Sequence, residues 1–137
     1  MQDFKKSVVY QIYPKSFLDT NGDGLGDLRG VISKLDYLQT LGVDYIWLTP
    51  FFVSPQNDNG YDVADYRAID PRYGTMADFE DLVEEAGRRN IRVMLDMVFN
   101  HTSTYHQWFQ KALEGDPVYQ DYYIFRPGKA DGSAPTN

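Results

Sequence analysis

Ile91-Arg92-Val93-Met94-Leu95-Asp96-Met97-Val98-Phe99-Asn100-His101-Thr102 decides how the chain is read. Its first part is an apolar run rich in β-branched residues, ending in a polar cluster. That is the pattern of a strand buried on both faces, with a C-terminal end that opens into a site. A carboxylate at Asp96 inside such a run costs free energy unless something pairs with it. It is therefore either a satisfied strand-end Asp or, with Asn100 and His101, one wall of a pocket.

Working outward, the segments before this run repeat one unit. Val8 to Pro14 is a short strand stopped by proline. From Leu28 to Leu41, Leu28, Val31, Ile32, Leu35, Leu38 and Leu41 recur at helical spacing, and Gly42 follows as a C-cap. Asp44 to Pro50 gives a second buried strand, followed by a long polar loop from Phe51 to Gly74. A second helix starts at Thr75, an N-cap with Asp78 three residues on, and runs through Phe79, Leu82, Val83 and Ala86 towards Asn90.

Helix-to-strand turns are short and strand-to-helix loops are long. This asymmetry predicts an α/β fold of the (β/α)-barrel kind, in which the loops after the strands build the site. Three polar clusters, Asp19 to Asp27, Asp58 to Asp65 and Asp96 to His101, all follow strands and are expected to share one face. A Rossmann fold uses the same units, but its first loop should be glycine-rich and phosphate-binding, whereas this one is lined with carboxylates. Tyr105 to Leu113 reads as a short helix, Asp121 to Phe125 as a strand, and Arg126 to Asn137 as an aperiodic tail. Three units cannot close an eight-stranded barrel. The chain is accordingly read as the N-terminal part of a longer protein, with residues 1–102 forming the first three strands and two helices, and residues 103–137 starting an inserted domain B.

The loop Asp19-Thr20-Asn21-Gly22-Asp23-Gly24-Leu25-Gly26-Asp27 sets oxygens at alternate positions, with glycines to allow a tight turn. Asp19, Asn21, Asp23 and Asp27 through side chains, and Leu25 through its carbonyl, make a calcium site of EF-hand-like spacing. The twelfth position holds Gly30 where an EF-hand has Glu. The alternative is an Asx-rich turn without metal.

Composition narrows the partners. The net charge of −7 from 20 acidic and 13 basic residues, with no Lys/Arg track, argues against nucleic acid. No apolar run is long enough for a signal peptide or a membrane span. Without such a segment a cytoplasmic protein is the expectation; the absence of cysteine alone proves nothing. His101 and His106 lack zinc-ligand spacing, and His106 is expected to face solvent. Asn100-His101-Thr102 fits a glycosylation acceptor but lies at a strand end. The acidic helix face from Asp78 to Glu85 reads as a solvated surface.

Val8 to Phe17, the Asp19 loop, Asp58-Asn59-Gly60-Tyr61-Asp62 and Asp96 to His101 together resemble the opening of an α-amylase-superfamily glucosidase, glycoside hydrolase family thirteen. Leu48 to Gln56 and Leu95 to Thr104 resemble the oligo-1,6-glucosidase, dextran glucosidase and trehalose-6-phosphate hydrolase group, and most of all the trehalose-6-phosphate hydrolases. The resemblance implies that Asp96 and His101 hydrogen-bond sugar hydroxyls, that Tyr61 is an aromatic platform, that Asp58 grips a terminal glucose, and that Asn100 supports them. It also implies action on a disaccharide or oligosaccharide by a retaining mechanism, whose nucleophile and acid/base follow later strands than those present; a monomer is the expectation. No catalytic residue is expected in this chain, and Asp62 with Asp65, or Asp58 with Asp96, are set aside as a catalytic pair. The implied substrate is trehalose 6-phosphate, with isomalto- or malto-oligosaccharides as the alternative. A non-catalytic transporter-subunit relative is disfavoured, because such relatives carry a membrane segment ahead of the barrel and only a few residues precede the first strand here.

Overall fold

The computed structural model describes residues 4–134. Three short parallel strands form its centre: β1 (Val9–Ile12), β2 (Tyr45–Leu48) and β5 (Arg92–Leu95), in the order β1-β2-β5. Val9 lies opposite Tyr45, and Tyr45 opposite Arg92, so the C-terminal ends of all three strands point the same way. Parallel pairing forces each connection to cross over the sheet, and the helices supply those crossings. After the one-turn helix α1 (Pro14–Phe17) come α2 (Leu28–Ser33), α3 (Leu35–Thr40) and α4 (Met76–Arg88).

The helical periodicity buries most of its apolar residues as the sequence expects, although Leu41 and Val83 are exposed. Leu28, Val31, Leu35 and Leu38 are fully buried against Ile12, Ile46 and Leu48. Each buried aliphatic side chain contributes about 1.5–3 kcal/mol. The helix expected from Leu28 to Leu41 is nevertheless two helices, broken at Lys34, whose backbone leaves the helical region. Next to the break, the Ser33 hydroxyl donates to the Gly30 carbonyl at 2.7 Å, a local bond that competes with the helix ladder. Gly42, with φ of +76°, ends the pair as expected. Thr75 and Asp78 form the expected capping box of α4.

Three expectations need correction. The loop from Phe51 to Gly74 contains an antiparallel pair, β3 (Phe52–Val53) and β4 (Asp65–Ile69), hidden in the sequence by charged residues on the exposed side. β5 ends at Leu95 and is only half-buried, because it is an edge strand and has a neighbour on one side alone. Asp121 to Phe125 is not a strand. Asp116 caps a one-turn helix, α6 (Pro117–Gln120), and with no strand alongside to pair with, Tyr122 and Tyr123 pack edge-on against Trp108 and Phe109 instead. The acidic face of α4 is a surface as expected, with Asp81 and Glu84 side chains 49% and 63% exposed, and its charges are ion-paired there: Asp78 and Asp81 meet Arg29, and Glu84 and Glu85 meet Arg88.

The segment after β5 carries α5 (Gln107–Leu113), which packs on α6. No helix among the described residues is long and apolar enough to cross a membrane. Residues 135–137 of the expected aperiodic tail lie outside the described residues.

Candidate sugar-binding site

Parallel strands deliver their following loops to one end, and there Tyr61, Asp96, Asn100 and His101 come together. The Tyr61 hydroxyl donates to Asp96 Oδ2 at 2.9 Å. His101 Nε2 lies 3.1 Å from the Tyr61 carbonyl, and Asn100 Nδ2 lies 3.1 Å from His101 Nδ1. A carbonyl only accepts, so Nε2 carries the proton and Nδ1 accepts from the Asn100 amide. Burial, the Asp96 carboxylate and the nearby Tyr13 and Asp58 raise the Tyr61 pKa, which keeps the phenol a donor. Asp96 Oδ1, which Tyr61 does not engage, can accept from a ligand hydroxyl. The half-buried ring of Tyr61 supplies a flat apolar surface beside it.

The loop that presents Tyr61 is held from within. Asp62 accepts from the Ser54 hydroxyl at 2.9 Å and from the backbone N–H groups of Asn57 and Asp58 at 2.9 and 3.0 Å. Burial works against its charge, but these donors outweigh it and hold Asp62 below the usual carboxylate range. Gly60 has a φ of +98°, and a Cβ there would lie 2.9 Å from the Pro50 carbonyl, so only glycine closes the turn. Asp58 is exposed at the rim, and next to it Lys15 Nζ donates to Asn59 Oδ1 at 3.3 Å. Beneath the loop, buried Asp70 pairs with Arg72, whose Nη2 also donates to the Ser54 carbonyl.

Sequence reasoning missed Tyr13, Ser54, Asp70 and Arg72, none of which stands in a motif that marks it. It also misplaced His106, which is 6% exposed and not solvent-facing. Its Nδ1 accepts from the Trp108 N–H at 3.1 Å and so caps α5, with its ring between Tyr66 and Trp108. The only sequence signal was its place just before a helical apolar face. An aromatic cavity of about 750 Å³, lined by Tyr66, Phe99, His101, Trp108 and Tyr123 among others, adjoins the site without reaching Tyr61 or Asp96.

The Asp19 loop is built from side-chain to backbone bonds. Asp19 accepts from the N–H groups of Asn21, Gly22 and Gly24 at 2.7–3.0 Å. These bonds hold its pKa down, Gly24 contributing most. Asn21 and Asp23 cap the next turns in the same manner. Asp27 is committed elsewhere, taking bonds from the Thr20 N–H and hydroxyl and from the Gly30 N–H at the start of α2. Among the described residues no three His, Cys, Asp or Glu side chains gather as a metal site. The donor set still suits calcium in part: about four lone-pair directions per carboxylate leave Asp19 and Asp23 with spare capacity, and the Leu25 carbonyl adds another oxygen. A Cβ at Gly30 would lie 2.1 Å from the Leu18 carbonyl, which explains why the EF-hand glutamate has no counterpart.

Residues 11–137 match the alpha amylase catalytic domain. The chain belongs to the alpha-amylase family. Among family members, it is 63% identical over 128 residues to a trehalose-6-phosphate hydrolase of Escherichia coli, covering 93% of this chain and 23% of that protein. It is 56% identical over 137 residues to an oligo-1,6-glucosidase of Bacillus cereus, with 99% and 24% covered. The crystal structure of Bacillus licheniformis trehalose-6-phosphate hydrolase superimposes with a TM-score of 0.90 at 60% identity, over 97% of this chain and 24% of that one. The chain thus spans about a quarter of the length of these alpha-amylase-family relatives, and its parallel sheet is the N-terminal part of the family's barrel.

Proposed function

We propose that this chain is the first quarter of a retaining α-glucosidase that hydrolyses trehalose 6-phosphate to glucose and glucose 6-phosphate. The observation that supports it most is the Tyr61–Asp96 hydrogen bond at the C-terminal ends of parallel strands, with His101 against the same tyrosine. Asp96 accepts hydroxyl protons of a glucosyl unit, while the Tyr61 ring covers its apolar face. Asp58 reaches the terminal sugar from the rim. His101 turns to a hydroxyl when the sugar takes the place of the exposed Asn100 bond, and Asn100 steadies it otherwise. The nucleophile and the acid/base lie outside these 137 residues, and the bound glucosyl unit is held for them.

Hydrolysis of unphosphorylated isomalto- or malto-oligosaccharides is the second reading, supported by the 56% identity to an oligo-1,6-glucosidase. Assays of the full-length protein on trehalose 6-phosphate and on isomaltose separate the two. Turnover of the phosphorylated disaccharide is expected, and turnover of isomaltose alone would overturn that assignment. A phosphate ester does not cross a bilayer unaided, which supports a cytoplasmic protein meeting its substrate inside the cell. We assign calcium a structural role at Asp19, Asn21, Asp23, Asp27 and the Leu25 carbonyl, where it would bind the loop's oxygens together and offset the repulsion of their charges.

A further inference from the structure

The Tyr66 hydroxyl, on β4, lies 2.6 Å from the Val98 carbonyl oxygen and 2.8 Å from that of His101. Among the described residues no backbone N–H reaches either carbonyl. These two atoms bracket the bend that carries Asn100 and His101, and outside regular structure backbone carbonyls find their partners in side chains such as this one. One hydroxyl proton serves both acceptors as a three-centre bond, so the phenol fixes their spacing as well as their place. Tyr66 is itself held firmly: its ring packs against Phe52, Phe99 and His106 at centroid distances of 6.4, 6.4 and 5.7 Å.

We propose that Tyr66 is a positioning residue, which by clamping the carbonyls of Val98 and His101 aims the His101 imidazole at Tyr61. The proposal rests on the reading of Tyr61, Asp96 and His101 as a glucosyl-binding site. The ring of Tyr66 serves the small core of Phe52, Val63 and Val98, and its hydroxyl serves the site.

Tyr66→Phe keeps the ring and deletes the clamp. In the full-length protein, kcat/KM for the glucoside should fall about tenfold, mainly through a higher KM, as loss of hydrogen bonding at a site's support implies. In histidine-labelled protein, the His101 Nε2 proton signal should shift or broaden. Leu82→Val, which loosens the main core on α4 away from Tyr66, is the control: it should lower the melting temperature and leave the His101 signal in place. The proposal is overturned if Tyr66→Phe leaves the KM and the His101 signal unchanged, or if Leu82→Val moves that signal equally. A wild-type protein inactive on every glucoside would defeat the functional reading, and the His101 signal would then decide the positioning role alone.

Discussion

Asp96 is useful because Tyr61 takes only one of its two oxygens. Asp96→Asn keeps the size of the side chain but removes the charge, and half of its terminus becomes a donor facing the tyrosine or the sugar. A hydrogen bond to a charged group contributes about 1.5–3 kcal/mol, so kcat/KM of the full-length protein should fall by roughly 10- to 100-fold, while circular dichroism shows an unchanged fold. His106 gives a second outcome at this scale. Burial lowers its pKa, with Asp65 acting weakly in the opposite direction. A histidine whose folded pKa is depressed contributes its full stability above the unfolded value of about 6.5 and loses it as pH falls. Protonation would also end its acceptance of the Trp108 N–H. His106→Asn, which can still cap, should flatten the fall of melting temperature below about pH 6.5; an unchanged slope would show that other groups carry it. Asp96 and His101 were legible because they close an apolar run, and Tyr61 only through the resemblance of Asp58 to Asp62 to the family's opening. Tyr66, Asp70 and Arg72 were not, since Tyr66 meets carbonyls 32 and 35 residues away and Asp70 and Arg72 reach Ser54 from 16 and 18 residues away, which leaves no local pattern.

At the scale of elements, α4 was legible to its first residue because its start is written in local chemistry: Thr75 accepts from the Asp78 N–H at 3.2 Å, and the Asp78 carboxylate takes the Thr75 N–H at 2.7 Å. Thr75→Ala should cost about 1 kcal/mol, read as a lower urea midpoint with unchanged slope. Where tertiary context decides, sequence reading failed. Asp121 to Phe125 has the composition of a strand but no neighbour to pair with, and β3 and β4 are strands only because each finds the other. The Asp19 loop lies between these cases. Its spacing was legible, yet Asp27 serves α2 and Thr20 as well as any ion. If calcium binds, free ion at 100 times its dissociation constant adds about 2.7 kcal/mol. A chelator should then lower the melting temperature by several degrees, and calcium alone should restore it; no change on chelation would show that the Asx turns suffice.

At the scale of the whole molecule, a sheet ordered β1-β2-β5 has two edges, and among the described residues both are short rows of backbone without a neighbouring strand. A closed barrel would pair them, and Phe99 and Ile124 are apolar side chains left 78% and 85% exposed. The 137-residue chain studied alone is therefore expected to associate through these edges and apolar side chains. Its net charge of −7 opposes that contact by mutual repulsion. The repulsion is screened within about 10 Å at 0.1 M salt and about 3 Å at 1 M, whereas apolar burial is not weakened by screening. Light scattering on the isolated chain should therefore show an average mass that rises with protein concentration and rises further with salt. A single monomeric mass under all of these conditions would mean that the exposed edges are protected by the chain itself, and that the sheet does not depend on further strands to cover it.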